Sequence, residues 1–487
     1  MTRDAAVEFI DRVPNGAWIN GTWSDGDGSR ALVVDNPARG ASMVTLAPGG
    51  PEHVRAACEA AAAAQPAWAA TAPRQRAEVL RRCWSTMLDH RDELAALITL
   101  EHGKPLSDAL AEVTYAAEFF RWNSEEAVRI EGAMRTAPGG SNRIIVRHPP
   151  VGVVVVITPW NFPAAMLTRK LAPALAAGNT VVVKPAAETP LTALRLAELC
   201  HDAGVPAGTF NVVSTDRAAE WFEAAVEHPA VRMLSFTGST EVGRRLLRRA
   251  ADRVLKVTME LGGNAPFIVF DDADLDAAVE GAMVAKMRHS AETCTAANRF
   301  FVHEAIAGRF VERLAAAMDG LRVGDGFDAG VEVGPMINAD AISSIDTLVA
   351  DSIGRGAAVA AGGRPLDGAG HFYAPTVLHG VAQGDAITTN EIFGPVAPVI
   401  SFANTDDVVA MANDTEMGLV AYVFTKNLAR GLGVSERLES GMIGLNRGVV
   451  SDPAAPFGGM KQSGLGREGS TEGIYEFCET QYIATDW

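Results

Sequence analysis

The chain has 487 residues, too many for one simple core, so two or three domains are expected. Its 59 acidic and 42 basic side chains give a formal charge of -17. That balance argues against non-specific nucleic-acid binding, which rests on neutralising phosphates.

Hydrophobic residues make up 48% and charged residues 21%, which points to a folded protein with a large interior. The cysteines are Cys58, Cys83, Cys200, Cys294 and Cys478. None forms a C-x-x-C pair and no histidines cluster beside them, so no metal site is expected. A sparse, odd set of thiols fits a reducing compartment, and the cytoplasm is the expected location. Met1-Thr2-Arg3-Asp4-Ala5 carries an acid early and opens no apolar stretch, so no signal peptide is expected. The longest apolar run, 151–157, is far too short to span a membrane.

Residues 1–50 are rich in Gly, Asp and Pro and read as short strands and turns, a small edge sheet. From 51 to 70, 73 to 101 and 105 to 130, apolar residues recur at helical spacing among many alanines. These are packing helices. Between 130 and 148, Gly132, Pro138, Gly139 and Gly140 mark turns, and Arg143-Ile144-Ile145-Val146-Arg147 alternates. This is an extended arm or hairpin, of the kind usually covered by something else.

From Pro150 the pattern becomes rhythmic. Strands are predicted over 153–158, 180–184, 210–213, 231–236 and 254–259, with helices over 164–177, 190–203, 218–226 and 240–250 between them. Unbroken apolar strands separated by helices predict a parallel sheet covered on both faces, a doubly wound dinucleotide-type domain. Its ligand crevice should lie beyond the carboxyl ends of the strands. Those ends are polar: Thr158-Pro159-Trp160-Asn161, then Lys184-Pro185-Ala186-Ala187-Glu188, then Thr237-Gly238-Ser239-Thr240. Gly238 and Ser239 open a helix whose N-terminus suits a pyrophosphate. The plain alternative for Ser239 is an N-cap.

Glu260 and Cys294 stand thirty-four residues apart. They read as a general base and a nucleophile, because a thiolate attacks a carbonyl carbon and a carboxylate takes protons from thiol and water. A second α/β rhythm follows, with strands over 266–270, 300–303, 396–402, 420–425 and 442–446. Cys294 precedes the second of these, so the pair straddles a domain boundary, where sites concentrate. From Pro456 a Gly-rich loop leads to a final strand near 476–484. The expected architecture is α/β, two doubly wound parallel-sheet domains and a small β oligomerisation arm. Residues 1–129 and 149–260 form the dinucleotide-binding domain, 261–455 the catalytic domain, and 130–148 with 470–487 the arm and C-terminal strand.

Six motifs together resemble the aldehyde dehydrogenase superfamily over nearly the full chain. They are Pro159-Trp160-Asn161-Phe162-Pro163, Phe236-Thr237-Gly238-Ser239-Thr240, Glu260-Leu261-Gly262-Gly263, Cys294, Glu391-Ile392-Phe393-Gly394-Pro395 and Pro456-Phe457-Gly458-Gly459. The resemblance implies that Cys294 attacks an aldehyde, that the Asn161 amide and the Cys294 N–H hold the oxyanion, and that Glu260 activates the hydrolytic water. It implies a nicotinamide cofactor contacted by Thr158, Pro159, Trp160, Lys184, Gly238, Ser239, Glu391 and Phe393. Glu468 matches a carboxylate used either in proton relay or structurally. It also implies a homodimer or homotetramer covering the arm.

The nearest likeness within the superfamily is to succinate-semialdehyde dehydrogenases. It places Arg169, Arg288 and Ser451 at the substrate carboxylate, with a structural salt bridge as the alternative for Arg169. Ala187 stands where NAD-preferring relatives carry a Glu, which favours NADP over NAD unless Glu188 takes that role. Glu292 replaces a residue that is often Gln in the family. Pointing inward, it would oppose thiolate formation at Cys294. The runner-up readings are another small aldehyde and a catalytically silent homologue.

Overall fold

The computed structural model describes residues 16–28 and 31–486, together with Arg3, Val7 and Ile10. The reading of the first five residues as lacking a signal peptide falls mostly outside them.

Five parallel strands form the centre of the first sheet: Val153–Ile157, Thr180–Lys184, Phe210–Val212, Val231–Thr237 and Lys256–Glu260. Their β-branched runs suit a pleated surface, and Val153–Ile157 and Thr180–Lys184 are buried at every position. Across the sheet the third strand lies beside the second, then the first, the fourth and the fifth. The order reverses between Val153–Ile157 and Val231–Thr237. The loops at their carboxyl ends part there and open a crevice. Ala17–Ile19 and Thr22–Ser24 extend the far edge antiparallel.

Helices Ala165–Ala177, Pro190–Asp202, Ala218–Glu227 and Thr240–Ala251 cover the faces. Pro51–Ala70, Pro73–Asp89, Arg91–His102 and Leu106–Glu126 pack around them. The run expected over 73–101 is two helices, because His90 leaves helical geometry at ψ 18 and caps both.

The second sheet has seven strands, ordered Ala358–Ala361, Thr376–His379, Val396–Phe402, Ala297–His303, Ala265–Val269, Val420–Phe424 and Met442–Leu445. All pair parallel except Ala358–Ala361. Phe267, Phe300, Tyr422 and Phe424 cluster in its core. The α/β architecture with two parallel sheets stands.

Three local expectations need correction. The fifth strand starts at Lys256 instead of 254, since Val254 takes a left-handed turn at φ 51. The tail strand is Gln481–Thr485, and helix Ser470–Glu476 precedes it. That helix forms because Ile474 and the adjoining Phe477 bury into the first core, which an extended segment would not satisfy. The Gly-rich loop holds the short strand Gly464–Leu465, which pairs antiparallel with Met259 and Glu260 and closes the sheet edge. The arm is a hairpin of Ala133–Thr136 and Arg143–Arg147, to which Gln481–Thr485 adds a third strand.

Candidate active site

Cys294 is delivered by strained backbone. Helix Leu275–Met287 ends, and His289, Ser290 and Ala291 follow at φ 52, 57 and 68, three left-handed residues in a row. Each costs of order 1–3 kcal/mol and persists only where surroundings over-determine it. They do so here. The Asp108 carboxylate accepts from the His289 N–H at 2.8 Å, and the Ser290 hydroxyl accepts from the Gly334 N–H at 2.8 Å. All three residues are buried. The half-buried Cys294 then lies at a cleft of about 220 Å³ shared with Asn161, Gly238, Ser239, Glu391 and Phe393.

Glu260 ends the fifth strand of the first sheet, so the two candidate residues come from opposite sheets. It is buried, and neither carboxylate oxygen has a hydrogen-bond partner among the described residues. Gly458 at φ 157 packs against it, and a Cβ there would lie 3.0 Å from the Glu260 Oε1. Burial and the nearby Glu468 raise the Glu260 proton affinity well above the usual range, while Lys170, Arg169 and Arg467 pull it down. Burial pushes the Cys294 thiol up to about 12. Arg169 opposes that shift, and Glu260, Glu391 and Glu468 add to it. Burial thus favours the neutral form of both groups.

Asn161 lies in the loop after the first strand. Its Nδ2 donates to the Glu292 carbonyl at 2.9 Å. The Glu292 side chain turns away from Cys294: its Oε1 accepts from the Ile337 N–H at 2.9 Å, and its Oε2 faces His102 Nε2 at 3.6 Å. Glu292 is not among the main influences on the thiol.

Arg169 is fully enclosed. It donates to the Tyr115 hydroxyl at 2.5 Å, pairs with Glu468 at 3.5 Å and stacks 4.0 Å from the Phe457 ring centroid. Lys170 pairs with the other Glu468 oxygen. The salt-bridge alternative for Arg169 is thus the arrangement present, although its Nε keeps no partner among the described residues. Arg288 is half-buried within electrostatic reach of Tyr422 and Asp108, and makes no hydrogen bond or ion pair among the described residues. Tyr422 in turn donates to the Thr295 carbonyl at 2.8 Å, one residue past Cys294. Ser451 is half-buried in the loop beyond Met442–Leu445.

On the other side of the cleft, Ser239 caps helix Thr240–Ala251 by accepting from the Val242 N–H at 3.4 Å. The N-cap role is therefore present, and Gly238 and Ser239 also line the cleft. Thr158 is buried, and its N–H donates to the Lys184 carbonyl at 3.2 Å. Pro159 and Trp160 form a wall. Lys184 is buried and donates to the Pro185 carbonyl at 3.1 Å, with no ion pair among the described residues. Burial lowers its proton affinity and the nearby Glu188 raises it. Ala187 is half-buried and Glu188 exposed. Glu391 accepts from the Gly263 N–H at 3.2 Å, and a Cβ at Gly262 would sit 2.7 Å from its other oxygen. Phe393, itself at φ 50, meets Trp160 edge-on at 5.4 Å.

These residues fit a nicotinamide dinucleotide. A helix N-terminus at the sheet's reversal point suits the pyrophosphate. A buried ammonium held only by a carbonyl suits ribose or phosphate oxygens. No group of side chains suited to a metal ion occurs among the described residues.

Sequence reasoning missed Lys104, Glu112 and Tyr115, which lie in or between the packing helices. Nothing in their local pattern separates them from surface polar residues. No helix of the described chain is long and apolar enough to cross a membrane.

The aldehyde dehydrogenase family model matches residues 23–483. The chain is 49% identical over 469 residues to the NADP-dependent succinate-semialdehyde dehydrogenase of Escherichia coli K12, covering 96% of this chain and 97% of that one. It is 48% identical over 469 residues to glutarate-semialdehyde dehydrogenase of Pseudomonas aeruginosa, covering 96% of each. The crystal structure of an E. coli NADP-dependent enzyme superposes with a TM-score of 0.96 at 47% identity, over 98% of this chain and 99% of that one. The chain belongs to the aldehyde dehydrogenase family.

Proposed function

We propose that this chain oxidises succinate semialdehyde to succinate, with NADP as the favoured hydride acceptor and NAD as the alternative. The observation that carries the chemistry is that the buried Glu260, with no hydrogen-bond partner among the described residues, lies within electrostatic reach of Cys294, whose cleft Asn161 also lines. All three are present, which disfavours a silent homologue.

Glu260 takes the proton from Cys294 Sγ, and the sulfur attacks the aldehyde carbon. Both Glu260 oxygens lack a hydrogen-bond partner among the described residues and are open to accept that proton. The Asn161 Nδ2–H and the Cys294 N–H stabilise the oxyanion of the thiohemiacetal. A nicotinamide held along Gly238, Ser239, Glu391 and Phe393 would supply the hydride acceptor that this oxidation to a Cys294 thioester requires. Glu260 releases the thiol proton to solvent and then deprotonates a water, whose oxygen attacks the thioester carbon and expels the Cys294 thiolate. Glu468, tied to Arg169 and Lys170, braces the site.

Arg288 offers the free guanidinium for the distal carboxylate, aided by Ser451, while Arg169 contributes its remaining Nε–H and its charge. The near-equal likeness to a glutarate-semialdehyde dehydrogenase favours one second reading, a semialdehyde one carbon longer. Lys184, Gly238, Ser239, Glu391, Phe393, Thr158, Pro159, Trp160 and Ala187 form the cofactor wall in this reading. Residues 1–129 and 149–260 serve as the dinucleotide-binding domain and 261–455 as the catalytic one.

We further infer a cytoplasmic homodimer or homotetramer. Met134, Tyr482 and Ile483 are exposed on the three-stranded arm, at 67%, 56% and 40%, which suits burial by a second copy.

The test is cofactor reduction, followed by absorbance, with succinate semialdehyde, glutarate semialdehyde and butanal, each with NADP and NAD. The expected result is turnover favouring the carboxylated aldehydes. No turnover with any aldehyde, or a preference for butanal, contradicts the proposal.

A further inference from the structure

Lys104 sits between helices Arg91–His102 and Leu106–Glu126, far from any part of the sequence that suggests chemistry. Its side chain is wholly buried. Burying an ammonium costs several kcal/mol unless it is paired and its protons are satisfied. Here each of the three has a partner. Nζ lies 2.6 Å from a Glu112 oxygen, 2.6 Å from the Asn161 carbonyl oxygen and 4.3 Å from the Phe162 ring centroid. Two of those partners are consecutive residues of the loop that carries the candidate oxyanion donor.

Glu112 completes the hold. Its other oxygen accepts from the Ala164 N–H at 3.0 Å and the Ala165 N–H at 3.3 Å, at the start of helix Ala165–Ala177. That helix has no side-chain cap of its own. The loop over 161–165 is therefore gripped at its main-chain carbonyl, its ring and its helix start by one buried ion pair. On the opposite side, the Asn161 Nδ2 is held by the Glu292 carbonyl. Lys104 is itself fixed, since its own N–H donates to His102 Nδ1 at 3.2 Å.

We propose that Lys104, paired with Glu112, is a positioning residue that sets where the Asn161 amide stands relative to the carbonyl under attack at Cys294. It touches neither substrate nor cofactor. It acts through Asn161, and it rests on the aldehyde-oxidation reading above. An oxyanion donor stabilises only where its N–H meets the developing charge, so a small displacement of the loop removes most of the effect.

The experiment is a double-mutant cycle on the first-turnover burst of reduced cofactor, using wild type, Lys104→Met, Asn161→Ala and the double variant. Lys104→Met is expected to slow the burst by about 100-fold, the size of a displacement of about 1 Å in a reacting group. In the Asn161→Ala background the same change is expected to cost less than about threefold, because the donor it positions is gone. The cofactor KM is expected to stay within about twofold of wild type. Lys104→Arg keeps the charge and is expected to recover part of the rate. It carries the same cycle if the Met variant fails to fold. Equal losses in both backgrounds mean a merely structural role and overturn the proposal. A wild-type protein that oxidises no aldehyde overturns the underlying reading instead, which separates the two failures.

Discussion

The Asn161 side-chain amide donates to the Glu292 main-chain carbonyl across 2.9 Å. This bond joins the loop after the first strand of one sheet to the strained segment that delivers Cys294 from the other. The Glu292 side chain is not needed for it, since the acceptor is main chain. Burial raises the Glu292 proton affinity well above the usual carboxylate range, with the Ile337 N–H and Lys104 opposing. A raised folded-state pKa means that the folded chain holds a proton the unfolded chain has released. The stability from that proton is complete below about 4.5, the unfolded value, and is lost as pH rises. Glu292→Gln removes this dependence. Its melting temperature is expected to exceed that of wild type by a margin that grows from about pH 5 to about pH 8. Turnover should change by less than about threefold, because the carbonyl remains. A margin that shrinks with rising pH contradicts the assignment.

Arg288 makes no hydrogen bond or ion pair among the described residues and lies within electrostatic reach of Tyr422, which holds the Thr295 carbonyl. A charge-assisted bond to a carboxylate is worth about 1.5–3 kcal/mol. Arg288→Ala is therefore expected to lower kcat/KM on succinate semialdehyde by about 10- to 150-fold, and that on butanal far less. Equal losses on both aldehydes remove the carboxylate-binding role.

The cofactor preference turns on one small residue. A Glu at position 187 would repel a 2′-phosphate near Lys184, and Ala187 does not. Glu188 is exposed but close enough to raise the Lys184 proton affinity, so it is the competing influence. Wild type is expected to prefer NADP in kcat/KM, and Ala187→Glu to move the ratio toward NAD by at least about tenfold. A wild-type preference for NAD of about tenfold or more sinks this reading.

The first sheet was legible because its strands Val153–Ile157 and Thr180–Lys184 are dominated by β-branched residues and alternate with helical patterns. Cys294 and Glu260 were legible because motif and spacing mark them. What stayed hidden depends on contacts between residues remote in sequence. Nothing local signals that His289, Ser290 and Ala291 turn left-handed, because Asp108 and Gly334 impose it from elsewhere. The pairing of Gly464 with Glu260 is likewise set across the fold. The tail strand was expected from 476 and no helix before it, because the burial of Ser470–Glu476, not its pattern, decides that helix. Arg169 carried the right charge in the sequence, but only the fold shows Glu468 and Tyr115 already engaging it.

The central claim is that aldehyde oxidation passes through a thioester on Cys294 that Glu260 helps to hydrolyse. Glu260→Gln keeps the shape of the site but removes the base from both steps; water is a weaker acid than the thiol, so hydrolysis should slow more than acylation and the acyl-enzyme should accumulate. The most direct measurement is intact-protein mass spectrometry of Glu260→Gln after brief incubation with succinate semialdehyde and NADP, followed by peptide mapping. The account predicts a succinyl adduct confined to Cys294, formed with one burst equivalent of reduced cofactor and absent from Cys294→Ala. A Cys294→Ala variant that turns over near the wild-type rate, or an adduct on any other residue, would contradict it.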